Sequence, residues 1–317
     1  MFLILHDHIF LMTWLRSVSP IRSSKIGQFK THSGVLIDYL YMDNKSDITL
    51  VFINGWATTH EFEWSHQTKL PFNLVFHNSR GHGRSTIDSS PFLDSAANDL
   101  SELLEHLDIR SAHFVAHSMG SLILTIYATQ NPTALDIKSL TFVCPPAGNP
   151  LTTFPLRSLR PGNLDPLLES FDGGVLGRLA DFTHSVRLLR SLLHLATRGG
   201  GVNVGSEQFD FLLDNVLVRR EGVRFALQSM VRDGDRVGAL MDTIRHPSLL
   251  ISGGRDFFVR ATSIDEIRRR IPHATHAHFP DATHAPMFES AAHFNRTLAE
   301  FVIRADVQTD SPLPRAG

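Results

Sequence analysis

The hexapeptide Val115-Ala116-His117-Ser118-Met119-Gly120 is the segment of this 317-residue chain whose residue types and setting point most directly to chemistry. An apolar strand pattern, His113 to Ala116, stops there and an amphipathic helical pattern starts at Met119, so Ser118 falls on a sharp strand-to-helix turn. Residues two before and two after a nucleophile on such a turn must be small, or their side chains would collide with the neighbouring strand and helix. Ala116 and Gly120 meet that need. The turn would lift the hydroxyl clear of the sheet and aim the first N–H groups of the helix at a reacting oxygen. The same residues also suit a serine that merely caps the helix, and taken alone the hexapeptide leaves both readings open. A serine hydroxyl becomes a nucleophile only beside a base, and the base needs a group that orients it. Asp256 stands on the turn Gly253-Gly254-Arg255-Asp256 after the apolar run Leu249 to Ser252, where a plain surface aspartate is the alternative. The chain has 18 histidines to choose from. His276 and His278 alternate within one strand pattern and read as packing residues. His284 follows that strand by a short loop and precedes Pro286, while His82 and His117 are runners-up, the ring of His117 being expected to point away from its neighbour Ser118.

The elements that must position these residues read as strands alternating with helices from Gly27 onward, which selects a mainly parallel sheet covered by helices on both faces. Gln28–Thr31 and Val35–Tyr41 predict an N-terminal hairpin, and Ile48–Ile53, Asn73–His77, His113–Ala116, Ser139–Val143, Pro247–Ser252 and Thr275–Phe279 predict the remaining strands. Phe92, Ala96, Leu100, Leu103 and Leu104 recur at helical spacing, so a helix is expected over Leu93–Leu107, with others over Met119–Thr129 and Ala292–Ile303. Between about Ala147 and Gly238 the strand signal gives way to helical stretches around Asp165–Ser170, Val175–Thr197, Glu207–Val218 and Val223–Val231, the pattern of an inserted helical cap. The domain reading is an extension over 1–24, an α/β core over 25–147 and 238–306, a helical cap over 148–237, and a tail over 307–317.

With these elements in place, residues 30 to 305 resemble the α/β-hydrolase family in several motifs that occur in the right order. Asn54-Gly55-Trp56 stands where the family usually has His-Gly and a residue serving the oxyanion hole, and Ser79-Arg80-Gly81-His82-Gly83-Arg84-Ser85 is similar to its D-x-R-G-x-G-x-S loop. Gly253-Gly254-Arg255-Asp256 and Asp281-Ala282-Thr283-His284 follow the last two strands. The resemblance implies Ser118 as nucleophile, His284 as base and Asp256 as the acid that orients it, in the chain order expected of that fold. The alternative acid position, after the strand ending at Val143, is empty, because Cys144 to Leu164 contains no Asp or Glu. It further implies backbone N–H groups of Trp56 and Met119 as oxyanion donors. Asn54 for His, Ala116 for the first Gly of the elbow and Thr283 for the Gly before the base depart from the family pattern. The oxyanion loop is the part whose shape Asn54 puts in question.

The implied activity is hydrolysis of carboxylic esters through an acyl-enzyme, with lactones and thioesters as chemical relatives and overall layout similar to small carboxylesterases of the pimeloyl-carrier methyl esterase type. A carbon–carbon bond hydrolase or a catalytically silent ligand-binding domain of the same fold are the rivals. Neither a metal nor an organic cofactor is expected, since no His, Asp or Glu cluster has ligand spacing. Thirty Lys+Arg against 32 Asp+Glu, with no long run of either sign, argue against a nucleic-acid partner and leave a small-molecule ester or acyl compound as the expected one. The sole cysteine, Cys144, fits a reducing or redox-indifferent compartment and a cytoplasmic location. The apolar segment Met1–Leu15 is too short to span a bilayer and a poor signal peptide, although it keeps export open.

Overall fold

The computed structural model describes residues 23–130, 135–150, 220–256 and 258–310. The expected helices within 165–218, most of the N-terminal extension and the end of the tail lie outside the described residues. Eight strands form one sheet: β1 (Ser23–Lys30), β2 (Leu36–Asp43), β3 (Thr49–Ile53), β4 (Asn73–His77), β5 (Ser111–His117), β6 (Asp136–Val143), β7 (Ser248–Gly253) and β8 (Thr275–Phe279), in the order β1-β2-β4-β3-β5-β6-β7-β8. The hairpin strand β2 runs antiparallel to both β1 and β4, and every later pairing is parallel. The helices are α1 (His60–Glu63), α2 (Phe92–His106), α3 (Met119–Gln130), α4 (Arg220–Leu240), α5 (Ala261–Arg270), α6 (Pro286–Glu289) and α7 (Ala291–Asp310).

The central strands read as unbroken apolar runs because both of their faces are buried. Val51, Ile53, Val75, Phe114, Ala116 and Leu250 point into one core, against α2, α3, α4 and α5. Leu50, Phe52, Leu74, Phe76, Val115, Leu249 and Ile251 point into the other, where Trp64, Phe72 and the α7 residues Phe294, Leu298 and Val302 cover them. Each large apolar side chain so buried is worth about 1.5–3 kcal/mol.

Parallel pairing in register aligns the carboxyl ends. Ile53 lies beside Ala116, His117 beside Val143, Val143 beside Ile251 and Gly253 beside Phe279. The loops leaving β3, β5, β7 and β8 therefore emerge along one edge, where groups gather in open α/β sheets.

Three expectations about elements change. Helix α3 is buried from Met119 through Tyr127 instead of amphipathic, since it lies between the sheet, α2 and α4. Helix α4 runs unbroken through Gly238, across the expected end of the cap, and packs on α2 and α3. His276 and His278 do not pack in the core: they sit on the edge strand with both rings turned to the Ser252 hydroxyl, at 2.8 and 3.0 Å.

Candidate functional site

Ser118 occupies the turn between β5 and α3 with φ +49°, a left-handed conformation that non-glycine residues adopt at a cost and that aims the side chain out of the sheet. Its N–H donates to the Val143 carbonyl at 2.9 Å, which ties the turn to β6. The small residue two positions on has a direct cause. A Cβ on Gly120 would stand 2.8 Å from the carbonyl oxygens of Ile53 and Asn54, so α3 can start this close to β3 only with hydrogen there.

The structure brings Ser118, His284 and Asp256 into one hydrogen-bonded line, although 138 residues separate Ser118 from Asp256. His284 Nε2 is 2.9 Å from Ser118 Oγ and its Nδ1 is 2.8 Å from Asp256 Oδ2. A carboxylate only accepts, so Nδ1 carries the hydrogen and Nε2 is left as the acceptor for the serine hydroxyl. The other Asp256 oxygen accepts the N–H groups of Phe258 and Val259 at 2.8 and 2.9 Å. Burial pushes the Asp256 carboxyl upward, but the His284 charge, its hydrogen bond and the two peptide donors outweigh that and hold it below the usual carboxylate value. The loop bearing Asp256 and the loop bearing His284 touch through backbone, because a Cβ on Gly253 would stand 1.9 Å from the Thr283 carbonyl oxygen.

The loop after β3 is held from three sides. Asn54, buried, donates from Nδ2 to the carbonyls of Gly55 and Thr58 at 2.8 and 3.2 Å, and its Oδ1 accepts from the N–H and hydroxyl of Ser79 at 2.8 Å each. Asparagine in place of the expected histidine is thus a tie between this loop and the one after β4. Glu63 Oε2 accepts the Gly55 N–H at 2.8 Å, and His82 Nε2 accepts the Ala57 N–H at 3.2 Å. Burial lowers His82 to about 4, so its ring is neutral, with Nδ1 donating to the Arg80 carbonyl and Nε2 free to accept. Trp56 lies between the two held residues Gly55 and Ala57, and Met119 opens α3 directly after Ser118. The indole of Trp56 donates to the Val223 carbonyl on α4 at 2.8 Å. Ala57 and Cys144, at φ +58° and +46°, join Ser118 as left-handed residues gathered at this edge.

His117 and Glu63 complete the surroundings. The ring of His117 turns away from Ser118, as expected, and meets Glu63, a residue for which the sequence carries no local signal. Two clusters bring three metal-ligand-type atoms within 4.8 Å of one another: Cys144, Asp256 and His284, and Asp38, His60 and Glu61. In the first, the imidazole and carboxylate already bond to each other; in the second, the Arg84 guanidinium stands 2.9 Å from Asp38 and takes the place of a cation. No helix among the described residues is long and apolar enough to cross a membrane.

The family model described as alpha/beta hydrolase fold matches residues 48–291. Over 272 residues, 76% of this chain and 56% of the relative, the sequence is 24% identical to the probable lysophospholipase BODYGUARD 1 of Arabidopsis thaliana. Over 103 residues, 31% of this chain and 37% of the relative, it is 36% identical to the non-heme chloroperoxidase CPO-A1 of Kitasatospora aureofaciens. The matches thus span about half or less of these relatives' own lengths. Among solved structures, a putative aryl esterase from Burkholderia cenocepacia superposes with a TM-score of 0.69 at 21% identity, covering 89% of this chain and 99% of that one, which is a likeness of fold.

Proposed function

Since the chain belongs to the α/β-hydrolase fold family, we propose that it is a serine hydrolase of carboxylic esters that works through an acyl-enzyme. The observation that carries the reading is the hydrogen-bonded line from Ser118 through His284 to Asp256, with the hydrogen on the nitrogen facing the carboxylate. Ser118 Oγ attacks the ester carbonyl carbon as its proton passes to His284 Nε2; the carbonyl π pair moves onto oxygen, which the N–H groups of Trp56 and Met119 receive. Each such donor is worth about 10²- to 10³-fold in rate. Collapse of that intermediate breaks the bond to the alcohol oxygen, which takes the proton from His284 and leaves. Water then attacks the acyl-serine, gives its proton to the same nitrogen, and the serine oxygen departs with that proton as the acid is released. Asp256 holds the imidazole in the required tautomer and stabilises its cation. Nucleophile, base, orienting acid and oxyanion donors are all supplied by the chain, so the reaction draws on no cofactor. The tie from the Trp56 indole to the Val223 carbonyl couples α4 to the oxyanion loop.

One relative, named a probable lysophospholipase, and a structural neighbour named a putative aryl esterase support the reading. A panel of p-nitrophenyl esters of rising acyl length, run beside a lactone and a vinylogous diketone, tests the proposal. Turnover of esters above the other two, lost in Ser118→Ala, is the expected result. Cleavage of the diketone alone would move the protein to carbon–carbon hydrolysis, and no turnover of any of them would move it to ligand binding.

A further inference from the structure

The pair formed by Glu63 and His117 lies outside the line just described, yet it touches both the loop that carries His284 and the loop after β3. His117 Nδ1 makes a short hydrogen bond to Glu63 Oε1, and His117 Nε2 stands 2.8 Å from the backbone carbonyl oxygen of His284. A carboxylate and a peptide carbonyl can only accept. With Glu63 as the carboxylate, both ring nitrogens carry hydrogen, which makes the ring an imidazolium. The second oxygen of Glu63 accepts the Gly55 N–H at 2.8 Å. A continuous set of contacts thus runs from the loop bearing Trp56, through Glu63 and His117, to the peptide that bears the His284 side chain.

We propose that Glu63 and His117 form a charged brace that fixes the base loop and the oxyanion loop at one separation, with both residues acting as positioning residues for Ser118 chemistry. The inference rests on the reading of Ser118 and His284 as nucleophile and base. Position 55 supports it independently, because a Cβ there would stand 2.7 Å from His117 Nδ1 and 3.1 Å from Glu63 Oε1, so glycine is the residue that lets the pair lie against the loop. The charged and titratable groups around the ring are Glu63, Asp256 and His284, and the edge-on ring of Trp64 closes the remaining side at 6.4 Å. Burial opposes the cation; the Glu63 charge and hydrogen bond, the His284 carbonyl and Asp256 overcome it and raise the imidazole above its ordinary value. The two imidazoles, 4.7 Å apart between centroids and tilted by 54°, share no ring-to-ring hydrogen bond, so His117 does not relay the proton. Because Glu63 neutralises His117, the cation that forms on His284 during the reaction faces no net positive neighbour.

Nitrogen-15 spectra of the histidine-labelled protein near neutral pH test the charge directly, and they need no turnover. Wild type and Ser118→Ala are both expected to show His117 with two protonated ring nitrogens. In Glu63→Gln one of the two oxygen positions that face Gly55 and His117 becomes an NH2 donor and the negative charge is gone, so the ring should become neutral. With a p-nitrophenyl ester, kcat should then fall by about 10- to 100-fold, the loss a displacement of about 1 Å produces, while KM stays within about twofold. His117→Asn, which removes the tie to the His284 carbonyl, should show the same split. A wild-type His117 with one unprotonated nitrogen would overturn the proposal, as would kcat within about twofold of wild type in either variant. Full ester turnover in Ser118→Ala would instead remove the nucleophile assignment and leave the imidazolium signature standing.

Discussion

Burial pushes the Asp256 carboxyl up, and the donors on both of its oxygens outweigh that: His284 on one, two peptide N–H groups on the other. Asp256→Asn preserves shape but offers His284 the wrong tautomer, so kcat for an activated ester should fall by about 10⁴-fold, as measured when a triad acid is neutralised. Asp281→Asn should change kcat by less than about threefold, because Asp281 meets only the exposed Arg255 across the surface and such pairs contribute ~1 kcal/mol or less. Steady-state kinetics on the two purified variants make the comparison, and the reverse ranking would place the acid wrongly. Ser118, Asp256 and His284 were legible as candidates because each lies on the turn or loop after a readable strand and stands in a motif of fixed order. Glu63 was not legible, since its partners, Gly55 and His117, lie 8 and 54 residues away and nothing in its neighbours marks a carboxylate that reaches them. Asn54 was legible only as a departure, because its value lies in the Ser79 contacts that folding creates.

Elements turned out legible in proportion to how much of their pattern burial imposes. The strands β3 to β7 are apolar on both faces and appear within one to three residues of where they are expected, whereas α1 and α5 were not foreseen: α1 has four residues, and α5 buries only Ser263, Ile264 and Ile267. Helix α7 continues to Asp310, past the expected end at Ile303, because Ala305 is still buried beneath its polar last turns. The loop after β4 matters most for the site, since it carries His82 against Ala57. Its anchor is Arg80, buried to 1% exposure, which grips Asp99 of α2 through two nitrogens at 2.7 and 2.8 Å and Asp88 through a third at 2.7 Å. Asp99→Ala would strand that guanidinium with a single partner, and breaking a buried pair in this way costs about 3–5 kcal/mol. Urea unfolding of the variant should show the loss, and a change below ~1 kcal/mol would mean that Asp88 alone suffices.

At the scale of the molecule, the buried histidines set the acid limit of stability. His77 and His82 are both lowered from 6.5 to about 4, by burial in each case. Between those values the unfolded chain binds protons that the folded chain refuses, so the contribution of these two rings is complete above about pH 6.5 and is lost toward pH 4. Each histidine removes about 1.4 kcal/mol per pH unit, or on the order of 3 kcal/mol across the window. His117 has the opposite sign: raised in the fold, it contributes most below its unfolded value and loses that contribution as pH rises through its folded one. Urea midpoints should therefore drop markedly between about pH 7 and about pH 4.5, and a flat profile would contradict neutral burial of the two rings. In the proposed reading one hydroxyl, that of Ser118, is the nucleophile. Peptide mass mapping after reaction with a fluorophosphonate tests it most directly. A single adduct on the peptide containing Ser118 is expected, with no adduct and no ester turnover in Ser118→Ala. Labelling at another residue, or full turnover in Ser118→Ala, would contradict it.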